Sequence, residues 1–373
     1  MKKILTISLL VLVLGSQSMK AQNLSSFSLS QLNPYVNAYT EPFAVAMPIG
    51  LSGGWAHTAK VHSTLGFDVT FSTSVIMIPS SAGTVKASSI NMPNNIQFSD
   101  PTADVPTIRG NKDLVQPNIS IPLSVGEEGT PNYYTSSIAF PAFKGLGMGL
   151  SASAAIQAAV GLPKGTEVII RFIPNLANTA NKLIPDGVDV KMEKTNMWGL
   201  GVKHDIKQWI PVLSKVPFLQ ISGLVGYTKF QTGFSGGALA ITPNVLSITN
   251  GTLANNTALW DDQKFLMEAS SFTGSLLVGA SIPVFQPFIG IGFNSGKFES
   301  GFYGTYPVVD INSTNGNLEV NKSEKDPLVI ENKTTNFNFQ AGARIKLGPI
   351  VFHYAIAMQK YTMHTFGFAV TLR

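Results

Sequence analysis

The sequence contains no cysteine in 373 residues. That excludes a disulfide framework, a thiolate metal site, a cysteine nucleophile and a lipidated N-terminal cysteine. Charge is scarce as well: Asp, Glu, Lys and Arg make up 13% of the chain, against about a quarter in soluble domains. With 44% apolar and 10% aromatic residues, the chain is far too rich in core-forming side chains to be disordered. Long apolar runs are missing too. After residue 21 no stretch reaches the roughly 18 to 20 residues that a membrane-crossing helix needs.

What is present begins with an export signal over residues 1–21. Lys2 and Lys3 form its positive end, Ile4 to Leu14 its apolar stretch and Ala21 the small residue at the cleavage point. Met19 is larger than that position prefers, so the cleaved bond stays open. The apolar stretch is too short to span a bilayer. Removing Lys2, Lys3 and Lys20 with no acid lowers the net charge from +5 to +2. A nucleic-acid partner would need a clustered basic face and is therefore not supported. An exported, weakly charged chain with 34 glycines and no spanning helix fits two architectures: a closed barrel in a bacterial outer membrane, or a β protein in the periplasm or beyond the cell.

Alternation in the C-terminal third decides between them. Phe337, Phe339, Ala341, Ala343, Ile345 and Leu347 share one face, while Asn336, Asn338, Gln340, Gly342, Arg344 and Lys346 share the other. Past Gly348-Pro349, Phe352, Tyr354 and Ile356 alternate with Val351, His353 and Ala355; then Phe366, Phe368 and Val370 alternate with Thr365, Gly367 and Ala369. Upstream, Ile289, Ile291 and Phe293 alternate with Gly290, Gly292 and Asn294. These runs are longer than the usual strand of about five or six residues, a length that suits a tilted strand crossing hydrocarbon. One apolar face and one small or polar face is the pattern of lipid outside and lumen inside. The lumen-facing candidates are Asn336, Asn338, Gln340, Arg344, His353, Gly290, Gly292 and Asn294.

Loop lengths give an independent test. Joins near Gly348-Pro349, Pro283 to Gln286 and Gly161 to Gly165 are short, whereas Gly301 to Lys333, Gly233 to Lys264 and Asn175 to Gly187 are long. Short and long joins alternate, as in outer-membrane barrels, apart from the tight final turn near Lys360-Tyr361. A β-sandwich has no reason to sort its loops this way. Further strands fit Leu65 to Met77, Met148 to Leu162, Thr166 to Phe172, Lys191 to Lys203 and Phe218 to Phe230, and Pro79 to Phe143 has room for another pair. The expected fold is all-β: a transmembrane antiparallel β-barrel of roughly 10–14 strands, even in number, with an N-terminal helical segment. Leu29, Leu32, Tyr35, Val36, Tyr39 and Phe43 carry the helical spacing. The layout is a signal peptide at 1–21, a helical plug segment at 22–48 and the barrel at 49–373. Lys203 to Ser214 also reads as a short amphipathic helix, taken as a packed connector in preference to an interfacial element.

Two stretches carry a resemblance. Gly54-Trp55-Ala56-His57-Thr58-Ala59-Lys60-Val61-His62, leading to Gly66-Phe67-Asp68, is one; Val202-Lys203-His204-Asp205-Ile206-Lys207-Gln208-Trp209-Ile210-Pro211 is the other. Both resemble an uncharacterised family of exported Gram-negative proteins taken to be outer-membrane barrels. The layout of helix then mid-sized barrel is also similar to the long-chain fatty-acid transporter class, as an analogy without a shared motif. The chain ends Thr371-Leu372-Arg373 where many such barrels end in an aromatic residue.

Chemical motifs are weak. The pattern G-x-S-x-G occurs at Gly50 to Gly54 and Gly233 to Gly237, but neither copy has the strand–elbow–helix context of a hydrolase. His353, on a polar face, is the best candidate base for a barrel hydrolase, and His364 falls on the apolar phase near a strand end. His57, His62, His204, His353 and His364 show no zinc spacing. Asp310, Asn312, Thr314 and Glu319 loosely resemble a calcium loop, with the glycine one position late. Gly145, Gly147 and Gly149 read as strand glycines facing a crowded interior. No cofactor, metal or enzymatic activity is expected. The leading expectation is passage or binding of a small, apolar solute in a lumen lined by Ser, Thr, Gly, Ala and Asn, with outer-membrane lipid as the surrounding partner. The alternatives are an accessory barrel that docks partner proteins and, behind it, a barrel lipid hydrolase.

Overall fold

A computed structural model describes residues 26–93, 96–182, 184 and 189–372. The export signal lies outside the described residues. Among them, ten strands form an up-and-down meander: β1 Phe67–Met77, β2 Leu150–Leu162, β3 Thr166–Ile173, β4 Asn196–Asp205, β5 Leu219–Ser235, β6 Lys264–Ala280, β7 Phe285–Tyr303, β8 Leu328–Leu347, β9 Ile350–Met358 and β10 Met363–Leu372. Each pairs antiparallel with the next, and β10 returns to β1 through the register Leu372↔Phe67 to Met363↔Ile76. The sheet is closed and leaves no free edge. The joins sort into two mouths. The turn mouth holds short connections such as Gly348-Pro349, where Gly348 takes φ +64° at the first central position, a conformation that favours glycine. The loop mouth holds the long connections and the tight β9–β10 join.

The wall alternates as its sequence predicts. Phe337, Phe339, Ile345, Phe352, Tyr354, Phe366 and Phe368 are exposed on the outside. On β7 the outward apolar set ends at Phe293, and beyond it lies a band of charge. Lys297 pairs with Glu299 at 2.9 Å and Glu331 at 2.7 Å, Lys333 with Glu331 at 2.7 Å, and Lys229 with Glu268 at 2.7 Å. Such a band marks where hydrocarbon gives way to polar surroundings, because charge on a lipid face is costly at depth. The absence of native cysteine makes the facing directly testable. Phe352→Cys should react with a lipid-soluble maleimide, whereas Asn294→Cys, buried inside, should react with neither lipid-soluble nor water-soluble reagents. Equal labelling of the two positions would contradict this facing.

The stretch Pro79 to Phe143, expected to have room for more wall strands, instead builds part of a cap over the loop mouth. Its hairpin of Asn118–Val125 and Tyr134–Pro141 pairs within itself and with Gln97–Phe98. A second hairpin, Thr305–Ile311 with Leu318–Lys325, takes Ser26–Phe27 as a third strand. Apolar side chains from both, including Ile119, Ile121, Val309, Ile311 and Val320, are buried together. Alternation alone does not distinguish a hairpin that packs on a cap from one that joins a wall.

The N-terminal segment runs through the barrel. Ser28 opens it with a capping box: its hydroxyl accepts from Ser30 N–H at 3.2 Å, and Gln31 Oε1 accepts from Ser28 N–H at 3.3 Å. Helix α1 then spans Asn33–Ser52. Every residue from Ala44 to Leu51 is buried, so the lower half has no solvent face, as befits a helix enclosed by wall. Residues 53–66 continue down to the turn mouth, and the wall begins at Phe67 rather than at residue 49.

The Lys203 to Ser214 stretch departs from expectation. Lys203 to Asp205 belong to β4, and the rest breaks into a 3-10 turn and the short helix Pro211–Ser214, since Pro211 has no N–H to continue a preceding helix. Its side chains are not a packed connector: Trp209 is 66% exposed on the turn-mouth rim, with its indole N–H donating to His204 Nε2 at 2.8 Å. An amphipathic ring at a barrel rim suits a bilayer interface.

Candidate functional site

The site is the lumen and the thread that fills it. At the loop mouth Tyr35 and Tyr39 pack on Phe143 and Tyr35 on Phe98, while Tyr39 donates to Lys144 O at 2.9 Å. Asn332 Nδ2 donates to Asn37 Oδ1 at 2.6 Å. At the foot of α1, where carbonyls lose their helical partners, the wall supplies donors. Arg171 Nη1 and Thr228 Oγ1 both donate to Leu51 O, at 3.0 and 3.2 Å. A cation at that end also matches the negative pole of the helix.

Trp55 follows. Its indole lies under the Arg171 guanidinium, 3.9 Å from carbon to ring centroid. Glycine also meets this ring: a Cβ on Gly201 or Gly226 would sit 2.6 or 2.7 Å from it. The strand glycines of β4 and β5 make the space this indole occupies.

Below Trp55 the thread is tied to the wall by polar contacts. His57 Nε2 lies 3.1 Å from Asp68 Oδ2, and His62 Nδ1 lies 2.8 Å from Glu167 Oε2. His62 Nε2 is 3.3 Å from Asp68 Oδ2, close enough for charge contact though off the hydrogen-bond line. Lys203 Nζ completes the chain with Glu167 Oε1 at 3.0 Å. All five side chains are buried. Each carboxylate therefore has a partner, which is the condition for keeping charge inside a protein. The two stretches that carry the family resemblance meet here, His57, His62 and Asp68 from one and Lys203 from the other.

The lumen-facing candidates are placed as follows. Asn294 and Asn336 are buried inside, with Asn336 Nδ2 donating to Asn294 Oδ1 at 3.3 Å and Asn294 Nδ2 to Gln359 Oε1 at 2.6 Å. Asn338 and Gln340 line a cavity of about 30 Å³ between wall and thread, roughly the share of one water in the liquid. Gly290 and Gly292 also face inward, but an added Cβ would meet Leu277 and Ser275 of the neighbouring strand and not the thread. Arg344 is buried at the turn mouth, and His353 stacks on His57 with centroids 5.2 Å apart. Sequence reasoning misses Arg171 and Glu167, although each sits on the inward phase of its strand, where a charge in so uncharged a chain is itself a signal.

The weaker motifs resolve as ordinary structure. Ser52 ends α1 and donates to Ile49 O at 2.7 Å, and Ser235 donates to Glu193 at 2.5 Å. Neither ring nitrogen of His353 has a hydrogen-bond partner among the described residues. Asn312 closes a turn on Thr314 N–H and Asn315 N–H, and donates to Glu319. Gly145, Gly147 and Gly149 lie in coil before β2, where Gly145 abuts the backbone of Gly110.

Closed wall, capped mouth and filled lumen define a plugged transmembrane β-barrel. The chain belongs to DUF6588, a family of unknown function whose model matches residues 1–372. No curated protein matches it. Among solved structures it is similar to the translocator domain of the autotransporter NalP from Neisseria meningitidis, at 10% identity and TM-score 0.31 over 93% of this chain and all of that one. The outer membrane transporter YddB from Escherichia coli follows at 10% identity and TM-score 0.30, over 80% of this chain and 40% of that one. The CymD monoaromatic hydrocarbon channel gives 10% and 0.17, over 94% of each. Likeness at this level bears on neither solute nor mechanism; the barrel assignment rests on the pairing of the ten strands.

Proposed function

We propose that the protein sits in the outer membrane as a closed, accessory barrel, whose lumen carries no steady flow and whose capped loop mouth is the surface offered to partner proteins. The observation that carries this reading is the lumen itself: the cavity left beside Trp55 is about 30 Å³, against the roughly 300–1,000 Å³ of sites that hold small molecules. An apolar concavity of about 1010 Å³, lined by Val202, Val225, Leu276, Ile291 and Phe337 among others, opens on the outer wall and shares Leu224, Ser275 and Asn338 with the inner cavity. Its apolar outer lining would meet acyl chains.

A second reading is passage of a small solute after the thread shifts. It is favoured by the polar ties of His57 and His62 to the wall, since water can replace such contacts more readily than close apolar packing. Planar-bilayer recording separates the two. The native protein should be silent at modest voltage, and a variant that loosens the thread, such as Glu167→Gln, should gain a conductance. A steady conductance from the native protein would overturn the closed reading.

A further inference from the structure

A pocket of about 100 Å³ opens at the turn mouth between thread and wall, lined by Lys60, His62, Gln286, Arg344, Lys346 and Thr371 among others. Three of these are cations. The buried carboxylates nearby, Asp68 and Glu167, are already engaged by His57, His62 and Lys203. Arg344, Gln286 and Thr371 are 5%, 6% and 2% exposed. Arg344 Nε, Gln286 Oε1 and Thr371 Oγ1 have no hydrogen-bond partner among the described residues. A buried guanidinium donor and a buried hydroxyl are costly to leave unpaired. Lys60, Lys346 and Arg344 line one pocket, and like charges held together disfavour one another.

The geometry points to a binding site for a phosphate group at the turn mouth, held by Arg344, Lys60 and Lys346 with the Thr371 hydroxyl as a further donor. Arginine supplies a planar fork of N–H groups that suits phosphoryl oxygens, and the lysines supply point charge. Three cations match a dianionic phosphate better than a carboxylate of single charge. The volume equals about three waters' share of the liquid, room for a small tetrahedral oxyanion. The phosphate could belong to a free ion or solute, or to the headgroup of a phospholipid at the rim.

The test uses the full-length protein in a nonionic detergent, titrated calorimetrically with inorganic phosphate against sodium chloride of equal ionic strength. Saturable binding of one phosphate per chain is expected, with no equivalent for chloride. Lys60→Gln/Lys346→Gln should weaken it by about tenfold or more, the scale of one charge-assisted hydrogen bond. Arg344→Gln should weaken it as well; because Arg344 is buried, heat-modifiable gel mobility must first show that this variant folds, and the lysine pair stands as the independent variant. A second arm places the protein in nanodiscs of phosphatidylcholine with or without phosphatidic acid. Retention of phosphatidic acid that depends on Lys60 and Lys346, without saturable inorganic phosphate, would assign the phosphate to a lipid headgroup. Saturation by neither probe, or binding unchanged in the lysine double variant, would overturn the site.

Discussion

Gly201→Leu is expected to drive the Trp55 indole out of its slot and to lower barrel stability by several kcal/mol. A Cβ at residue 201 would lie 2.6 and 2.9 Å from two ring carbons of Trp55 and 3.2 Å from Val225 O. The backbone oxygen belongs to a paired strand and cannot yield, so the indole must. Overpacking a core typically costs about 1–3 kcal/mol; expelling the ring also forfeits its burial, which for Trp→Ala is about 3–5 kcal/mol. Arg171 would lose the face it stacks on and remain buried. The measurement is the temperature at which the folded band disappears in heat-modifiable electrophoresis. Gly201→Leu/Trp55→Ala should be more stable than the sum of the two single losses, because neighbouring substitutions share one space. Simple additivity, or a Gly201→Leu protein as stable as the native one, would show that the indole does not occupy this slot.

The second large effect concerns the charge chain. In Glu167→Gln, Lys203 loses its carboxylate while only 1% of its side chain is exposed. Removing one partner of a buried pair typically costs about 3–5 kcal/mol, because the remaining charge stays buried and uncompensated. His62 loses charge at the same atom that its own N–H and ring engage, at 2.9 and 2.8 Å. Both the wall and the thread should therefore loosen. Glu167→Gln/Lys203→Met removes the stranded charge and should recover much of the stability, but not the grip on His62. Stability recovered while leak persists would mark Glu167 as a tie on the thread; a single variant with native stability would show that the pair is not buried as described.

The wall was legible in the sequence because a strand between lipid and lumen has one rule, alternation, and this chain obeys it. Phe352 and His353 sort to opposite faces on that rule alone. The cap was not legible: Ile119, Ile121 and Leu123 alternate just as cleanly, but bury against a neighbouring hairpin instead of a bilayer. The helix was legible in its spacing, yet Pro42 and Pro48 sit inside it and argue against helix locally; enclosure by the wall overrides that preference. The site was half legible. Its stretches around His57 and Lys203 stood out, but Glu167, which joins them, is distant from both in sequence. Strand pairing supplies the link: Glu167 on β3 is the register partner of Lys203 on β4, and β2 alone separates β3 from β1 and Asp68.

The thread also fixes on which side of the membrane Ser26 and Leu372 lie. Ten wall strands, an even number of crossings, leave Phe67 and Leu372, the two ends of the wall, at one mouth. Residues 26–66 add an eleventh crossing, so parity is odd. Ser26 pairs with Asp310 at the loop mouth and Leu372 pairs with Phe67 at the turn mouth. A tag placed immediately before Ser26 would be displayed on the cap's side, and one placed after Leu372 on the opposite side.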